Sequence, residues 1–307
     1  MNKIIVSVIG YKTTMGLGNR IFRLLGDILI AKEYYKVNDE DIWIYYDDEN
    51  KKHKVINENT GKKYEYECKY YPMEKLFNLP FKKIDKNELL KILNDNKYRI
   101  LLDNDLRNKK PYINCDNIAG VVNGFPILPE EINEVKQFIS YENDFNGTVA
   151  FCYDKLPDKY WQKYRNYFKL ININNKLLKD INNFKEIDRN TIGVHIRRGD
   201  FEHYNVKKMY RGTNTDDKYI KVIDSLKNFK NIFLSSDDQE LQELFKKKYG
   251  DKLFYVKTES GVRDEMIALK CIILLSRCGH LVLSHLSSFS EFAWWMSDIK
   301  LPITYIK

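Results

Sequence analysis

The chain is poor in the residues that staple, break or anchor a protein. Its five cysteines, Cys68, Cys115, Cys152, Cys271 and Cys278, are scattered and form no CxxC pair. An odd, dispersed set of this kind excludes a full disulfide framework and a cysteine-built zinc site. Cys271 and Cys278 stand seven apart in an apolar helical stretch, which predicts small core residues on one face. With 7 prolines and 14 glycines, long flexible linkers are not expected. No apolar run reaches the length of a bilayer span; the amino-terminal run Ile4–Ile9 is too short, and no small-residue cleavage site accompanies it. The expectation is a cytoplasmic chain without a membrane span, in which the sequon at Asn146-Gly147-Thr148 goes unused. The histidines at 53, 203, 280 and 285 show no metal-ligand spacing. The net charge of +8 comes from lysines dispersed among acidic and amide residues rather than from one basic block. That pattern reads as a solvated surface compatible with an anionic ligand, not as a nucleic-acid-binding stripe.

At 307 residues, two domains are expected rather than one small core. Ile4–Ile9 is continuously apolar and β-branched, as a buried parallel strand is. Gly16-Leu17-Gly18-Asn19 follows as a loop. From Arg20, the residues Ile21, Leu24, Leu25, Ile28 and Leu29 recur at helical spacing to about Tyr35. Ile42–Tyr46 reads as the next strand. Residues 50–180 are polar, with short apolar pieces at Arg99–Leu102 and Val121–Leu128 and helical readings at Glu130–Ser140 and Tyr160–Asn182. Beyond Thr191, strands at Thr191–Ile196, Asn231–Ser235, Leu253–Val256, His280–Ser284 and Pro302–Ile306 alternate with helices at Asp216–Leu226, from Asp238 to Tyr249, at Arg263–Cys278 and at Ser288–Met296. This alternation predicts an α/β chain with a parallel sheet wound by helices. The division falls between residues 1–185 and 186–307.

Ligands of such sheets bind beyond the carboxyl ends of the strands. Four polar or glycine-rich segments stand there: Gly16–Arg20, His195–Asp200, Ser235–Asp238 and Ser284–Phe289. Strand alternation puts His195 and Arg197 on one face and Arg198 on the other. An arginine at a strand end presents a planar fork of donors suited to a diphosphate, and it would stabilise the charge on a departing nucleoside diphosphate. Gly199 permits a turn, and Asp200 would hold Arg197 or Arg198 by an ion pair; a purely structural arginine–aspartate pair fits the same residues. Gly16 and Gly18 either bring the backbone near an anion at a helix amino terminus or simply make a tight turn, and their spacing is not GxGxxG. Ser235-Ser236-Asp237-Asp238 reads as a helix cap or as a carboxylate that recognises a base or ribose. Ser287-Ser288-Phe289-Ser290 is equally two-sided, a cap or a set of hydroxyls and amides for phosphate. Phe289, Phe292, Trp294 and Trp295 read as core.

His195-Ile196-Arg197-Arg198-Gly199-Asp200 after a strand resembles the HxRRGD motif of the α-1,2-fucosyltransferases and the HxRR motif of the α-1,6-fucosyltransferases. Gly16–Arg20 is similar to their amino-terminal GGLGN segment, with Met15 in place of the first glycine and Arg20 where glutamine is usual. Phe233–Asp238 resembles the F-S-D-D stretch. Leu286–Ser290 followed by Trp294-Trp295 resembles N-S-S-F-S-W-W, with Glu291-Phe292-Ala293 intervening. The resemblance covers the last third of the chain and roughly its first thirty residues.

It implies a GT-B-type architecture of two Rossmann-like domains facing a cleft, with residues 1–185, including the polar stretch, on the acceptor side and 186–307 on the donor side. It also implies transfer of L-fucose from GDP-fucose to a hydroxyl of a glycan acceptor, α-1,2-linked, with inversion and with no metal or other cofactor. Carried over by residue, Arg197 would bind the β-phosphate and assist GDP departure, and Asp200 is the second catalytic candidate. His195 and Asp237 or Asp238 would lie near the guanosine, while Ser287, Ser288 and Phe289 would line the phosphate and sugar. Gly18 and Asn19 would reach the donor from the first domain; Arg198 and Ser235 complete the donor set. Two alternatives stay open: a transferase of the same fold using another nucleotide sugar, and an inactive glycan- or nucleic-acid-binding module.

Overall fold

The computed structural model describes residues 4–10, 16–56, 63–93, 95, 97–101, 142–143, 149–150, 157–198, 216–259, 261–284 and 287–306. Along the chain these form β1 (Ile4–Ile9), α1 (Leu17–Leu29), β2 (Ile42–Tyr46), β3 (Lys51–Ile56), β4 (Lys63–Lys69), α2 (Met73–Leu76), β5 (Phe77–Asn78) and β6 (Lys82–Lys83). Next come α3 (Lys86–Ile92), β7 (Tyr98–Leu101), β8 (Glu142–Asn143), β9 (Val149–Ala150), α4 (Asp158–Phe168), β10 (Asn172–Ile173) and α5 (Asn175–Ile181). The last part holds β11 (Thr191–Ile196), α6 (Asp216–Ser225), β12 (Asn231–Ser236), α7 (Gln239–Tyr249), β13 (Leu253–Tyr255), β14 (Val262–Asp264), α8 (Glu265–Arg277), β15 (His280–Ser284), α9 (Ser288–Met296) and β16 (Ile303–Ile306). The apolar piece Val121–Leu128 and the expected helix Glu130–Ser140 lie outside the described residues, as does the sequon. Among the described residues, no helix is long and apolar enough to cross a membrane.

The chain divides into two compact units. The first takes its described residues from 1–48, 71–140 and 155–174. Its sheet is parallel, in the order β6-β2-β1-β7. β1 is central and buried along Ile5–Ile9, which is why that run carries no polar alternation. α1 begins at Leu17, where Arg20 N–H already bonds the Gly16 carbonyl at 3.1 Å. Gly18 and Asn19 therefore lie in its first turn, not in a preceding loop. Arg20 is 1% exposed; its guanidinium donates to the Asp47 carbonyl and stacks 3.9 Å from the Tyr46 ring centroid, tying the helix to the end of β2. The expected helix Tyr160–Asn182 is two helices, α4 and α5, split where β10 pairs antiparallel with β5 (Ile173↔Phe77). Phe168 at the end of α4 meets Phe22 of α1 edge-on at 5.7 Å.

The second unit takes its described residues from 49–70, 141–154 and 175–307. Its five strands are all parallel, in the order β13-β12-β11-β15-β16. Numbered within the unit, that order is 3-2-1-4-5, the doubly wound arrangement whose winding reverses between β11 and β15. One face carries Ile192, Val194, Ile196, Ile232, Leu234 and Val282 against Tyr219 and Ile223 of α6 and Leu241 and Phe245 of α7. The other face packs so tightly under α8 that a Cβ on Gly193 would come 3.0 Å from both Cys278 Sγ and Leu275 Cδ2. Cys271 and Cys278 are buried there, as their spacing predicts.

A hairpin, β3 and β4, joins this unit from far earlier in the chain. β4 pairs parallel with β14 (Arg263↔Cys68), and Lys69 meets Glu259 at 3.1 Å. The sequence shows no sign of this, because the partner strands are separated by most of the chain.

Candidate functional site

The carboxyl ends of β11, β12 and β15 carry the second unit's polar cluster, at the point where the sheet winding reverses. β11 leaves its ladders at His195↔Leu283 on one side and Ile196↔Ser236 on the other. The next two backbone amides belong to Arg197 and Arg198, and side chains from the flanking strands receive them. Arg197 N–H donates to Ser284 Oγ at 2.9 Å, and Arg198 N–H donates to Asp237 Oδ1 at 2.8 Å. The arginine pair is thus fixed through its own backbone. Arg198 turns to the α6 face and forms an ion pair with Asp216. His195 turns to the opposite face, as strand alternation requires. Its Nδ1 lies 2.7 Å from Ser290 Oγ, and its ring stacks on Phe289 at 4.5 Å and 22°.

Burial, with the Arg197 charge second, holds the His195 imidazole well below its ordinary value of 6.5, at about 3. The ring is therefore neutral in the fold, where one nitrogen accepts and the other donates. Acidification protonates it in the unfolded chain first, so its contribution to stability is complete above pH 6.5 and is lost as pH falls towards 3. By calorimetry, the melting temperature of the native protein is expected to fall more steeply across that window than that of His195→Gln. Identical slopes would contradict this assignment.

α9 starts at Ser288, with Ser287 as its cap residue. A serine here ordinarily accepts from an amide of the first turn. Ser287 does not; it is 1% exposed, and its Oγ meets no hydrogen-bond partner among the described residues. A buried hydroxyl left this way costs free energy unless something else pairs with it. Here it stands beside the amide-rich end of a nine-residue helix, where an anion is favoured. Ser288 and Phe289 follow, both half-buried.

The other sequence-predicted residues fall into place unevenly. Ser235 is buried at 5% exposure and lies against the Cys271 thiol, which burial pushes up to about 12, far from a nucleophile's range. Asp238 caps α7, accepting from Leu241 N–H at 3.2 Å. Asp237 is the clamp on Arg198 just described, although its exposure leaves it at the surface. Asp200 lies outside the described residues. Gly18 and Asn19 belong to α1 of the first unit. Phe292, Trp294 and Trp295 are fully buried core, as expected, with Trp294 Nε1–H satisfied by the Leu301 carbonyl at 2.9 Å. Two residues of the cluster, Asp216 and Tyr219, stand outside the segments singled out in the sequence, while Ser284 and Ser290 fall within them but take partners, Arg197 N–H and His195, that the sequence does not show. Asp216 was visible as an acid in the first turn of a helix, but nothing local pairs it with Arg198.

Two α/β units, each on its own parallel sheet, place the protein in the GT-B class. The same fold is seen in POFUT1 in complex with GDP-fucose, with a TM-score of 0.50, 12% identity and coverage of 99% of this chain and 98% of that one. NodZ α-1,6-fucosyltransferase co-crystallised with GDP aligns at a TM-score of 0.46 and 16% identity, over 96% of this chain and 92% of that one. An α-1,2-colitosyltransferase of Escherichia coli is 29% identical over 199 residues, which is 61% of this chain and 66% of that protein, just under two thirds of its length. The sequence signature of glycosyl transferase family 11 matches residues 137–300, more than half of the chain, and the protein belongs to that family.

Proposed function

We propose that the second unit binds the diphosphate of GDP-fucose and that the protein transfers L-fucose to a glycan hydroxyl, with inversion and an α-1,2 linkage. The observation that carries this reading is Ser287: a buried hydroxyl without a hydrogen-bond partner among the described residues, at the amino end of α9 and three residues beyond the Ser284 that holds Arg197. Helix amides, a hydroxyl and a guanidinium together form a phosphate-binding set. In this reading Arg197 bonds the β-phosphate and neutralises the charge that grows on GDP as the glycosidic bond breaks, the work a divalent cation does elsewhere. Arg198, tethered to Asp216, adds a fixed positive potential. The neutral His195, Asp237 and Asp238 border the guanosine side, and Phe289 borders the sugar. Asp200 keeps its catalytic candidacy from sequence position, and Gly18 and Asn19 theirs as donor contacts. A glycan acceptor, activity without added metal and a cytoplasmic setting belong to the same proposal, as does the assignment of residues 1–185 to the acceptor and 186–307 to the donor.

A second donor is favoured by one observation, the colitosyltransferase among the relatives. Colitose is fucose without its 3-hydroxyl, so the two donors differ by one oxygen. A site that hydrogen-bonds that oxygen rejects the deoxy sugar strongly, whereas a site that merely accommodates it does not.

A thermal-shift panel tests the reading. GDP at a hundredfold excess over Kd is expected to stabilise the protein by about 2.7 kcal/mol, with GMP much weaker because it lacks the β-phosphate. Hydrolysis of GDP-fucose and GDP-colitose in EDTA then ranks the donors. Stabilisation by UDP but not GDP, or by no nucleotide at all, would overturn the proposal.

A further inference from the structure

We infer that Tyr219 is a positioning residue for the arginine pair, acting through Ser284. The inference rests on the reading of Arg197 as the diphosphate ligand.

It starts from a count of protons at Ser284, which is 0% exposed at the end of β15. A serine hydroxyl has one proton and two lone pairs. Its oxygen meets three groups: Arg197 N–H at 2.9 Å, the His195 carbonyl at 3.1 Å and the Tyr219 hydroxyl at 2.8 Å. The amide can only donate and the carbonyl can only accept, so the serine proton goes to His195. One lone pair takes Arg197 N–H. The remaining lone pair requires a donor, and Tyr219 O–H is the group that faces it. The hydroxyl is then fully used, and its rotamer is set from three directions.

Tyr219 can supply that proton throughout the physiological range. It is 0% exposed, and burial pushes its pKa up to about 12. Its ring is anchored in the apolar core on one face of β11, in the cluster that holds Ile192, Val194, Ile196 and Ile223.

The same helix turn reaches the second arginine. Asp216, three residues earlier on α6, pairs with the Arg198 guanidinium. One turn of α6 therefore holds Arg197 by its backbone, through Ser284, and Arg198 by its side chain. The hydroxyl of Tyr219 is bonded to Ser284, so its effect on chemistry passes through the position of the strand end. Displacement of a reacting or stabilising group by about 1 Å can cost a hundredfold in rate. A contact that strengthens as GDP departs shows in kcat rather than in ground-state affinity.

The experiment is a double-mutant cycle with Tyr219→Phe and Ser284→Ala, followed by donor hydrolysis, GDP titration calorimetry and thermal melts. Tyr219→Phe is expected to lower kcat about tenfold, with donor KM and GDP affinity within about twofold of the native values. Ser284→Ala is expected to lose at least as much, and the double variant no more than Ser284→Ala, because the tyrosine then has nothing to act through. Native kcat in a folded Tyr219→Phe protein, or losses that simply add, would overturn the relay. So would a parallel rise in KM and GDP Kd with kcat intact, which would mark the tyrosine as structural support for binding alone. Should Tyr219→Phe fail to fold, Ser284→Ala decides: native kcat there overturns the inference. Native protein run alongside separates the two levels, since failure to bind GDP at all would remove the donor reading and the relay's role with it.

Discussion

Arg197→Ala is expected to abolish donor turnover while leaving the protein folded. Its loss should reach about a thousandfold in kcat/KM, or about 4 kcal/mol of transition-state stabilisation. The size follows from the proposed role: a guanidinium facing a departing diphosphate in a partly buried site would make its strongest contact when the charge is greatest. The fold should survive because alanine keeps the backbone N–H that Ser284 accepts, and because the Arg197 side chain stands at the strand end, outside the core of Ile192, Val194 and Ile196. Arg198→Ala makes the contrast. It leaves Asp216, 35% exposed, without its partner and should cost stability, with a smaller effect on turnover. Arg197→Lys should fall between, since it keeps the charge but loses the fork. Donor hydrolysis and a thermal melt on the three variants check the order. A folded Arg197→Ala protein that turns over donor at the native rate would end the assignment.

The parts of the second unit that were legible in the sequence are those that local physics dictates. Thr191–Ile196, Asn231–Ser236 and His280–Ser284 are buried on both faces, and a strand buried on both faces must be apolar without alternation. Polar residues at their carboxyl ends then stand out, which is how Arg197, Arg198 and Ser287 came to notice. The roles that stayed hidden are tertiary. Ser284 reads as the last residue of a strand, and only the approach of β11 turns it into the acceptor for Arg197. Tyr219 reads as an apolar position on an amphipathic helix, and its ring is indeed core; the hydroxyl's task depends on which strand lies beneath it. Asp237 and Asp238, adjacent and chemically alike, separate only in three dimensions, one clamping a strand and the other capping a helix. Where the chain leaves the first unit, the helical spacing of Tyr160–Asn182 runs through a real break, because Asn172–Ile173 is drawn into pairing with Phe77–Asn78. The hairpin β3–β4 was invisible for the same reason: its lysine-rich and tyrosine-rich strands find their place only beside Val262–Asp264.

Gly279→Ala is expected to be the most destabilising glycine-to-alanine change among the described residues of the second unit. Gly279 stands between the end of α8 and β15, and its N–H donates to the Thr191 carbonyl at 2.9 Å. A Cβ there would lie 2.0 Å from the Arg189 carbonyl oxygen and 2.9 Å from its carbon. These are backbone atoms, and Arg189 has little freedom to yield: its guanidinium bonds the Ser276 carbonyl at 3.1 Å and the Cys278 carbonyl at 2.6 Å, and pairs with Asp298. Either β15 or the approach to β11 has to move. Overpacking of this severity should cost about 3 kcal/mol or more, which lowers the melting temperature by roughly 6–12 °C. Gly16→Ala is the control, since a Cβ there meets nothing within 4 Å and the melt should not shift. The displacement also has a chemical consequence. β15 carries Ser284 at its other end, so a shift of that strand against β11 moves the acceptor away from Arg197 N–H. Below its melting temperature, Gly279→Ala should therefore turn over donor more slowly than native protein. A variant that melts with native protein would show that the strands can part at their amino ends without cost, and native turnover in a destabilised one would show that the strand shift does not reach the arginine pair.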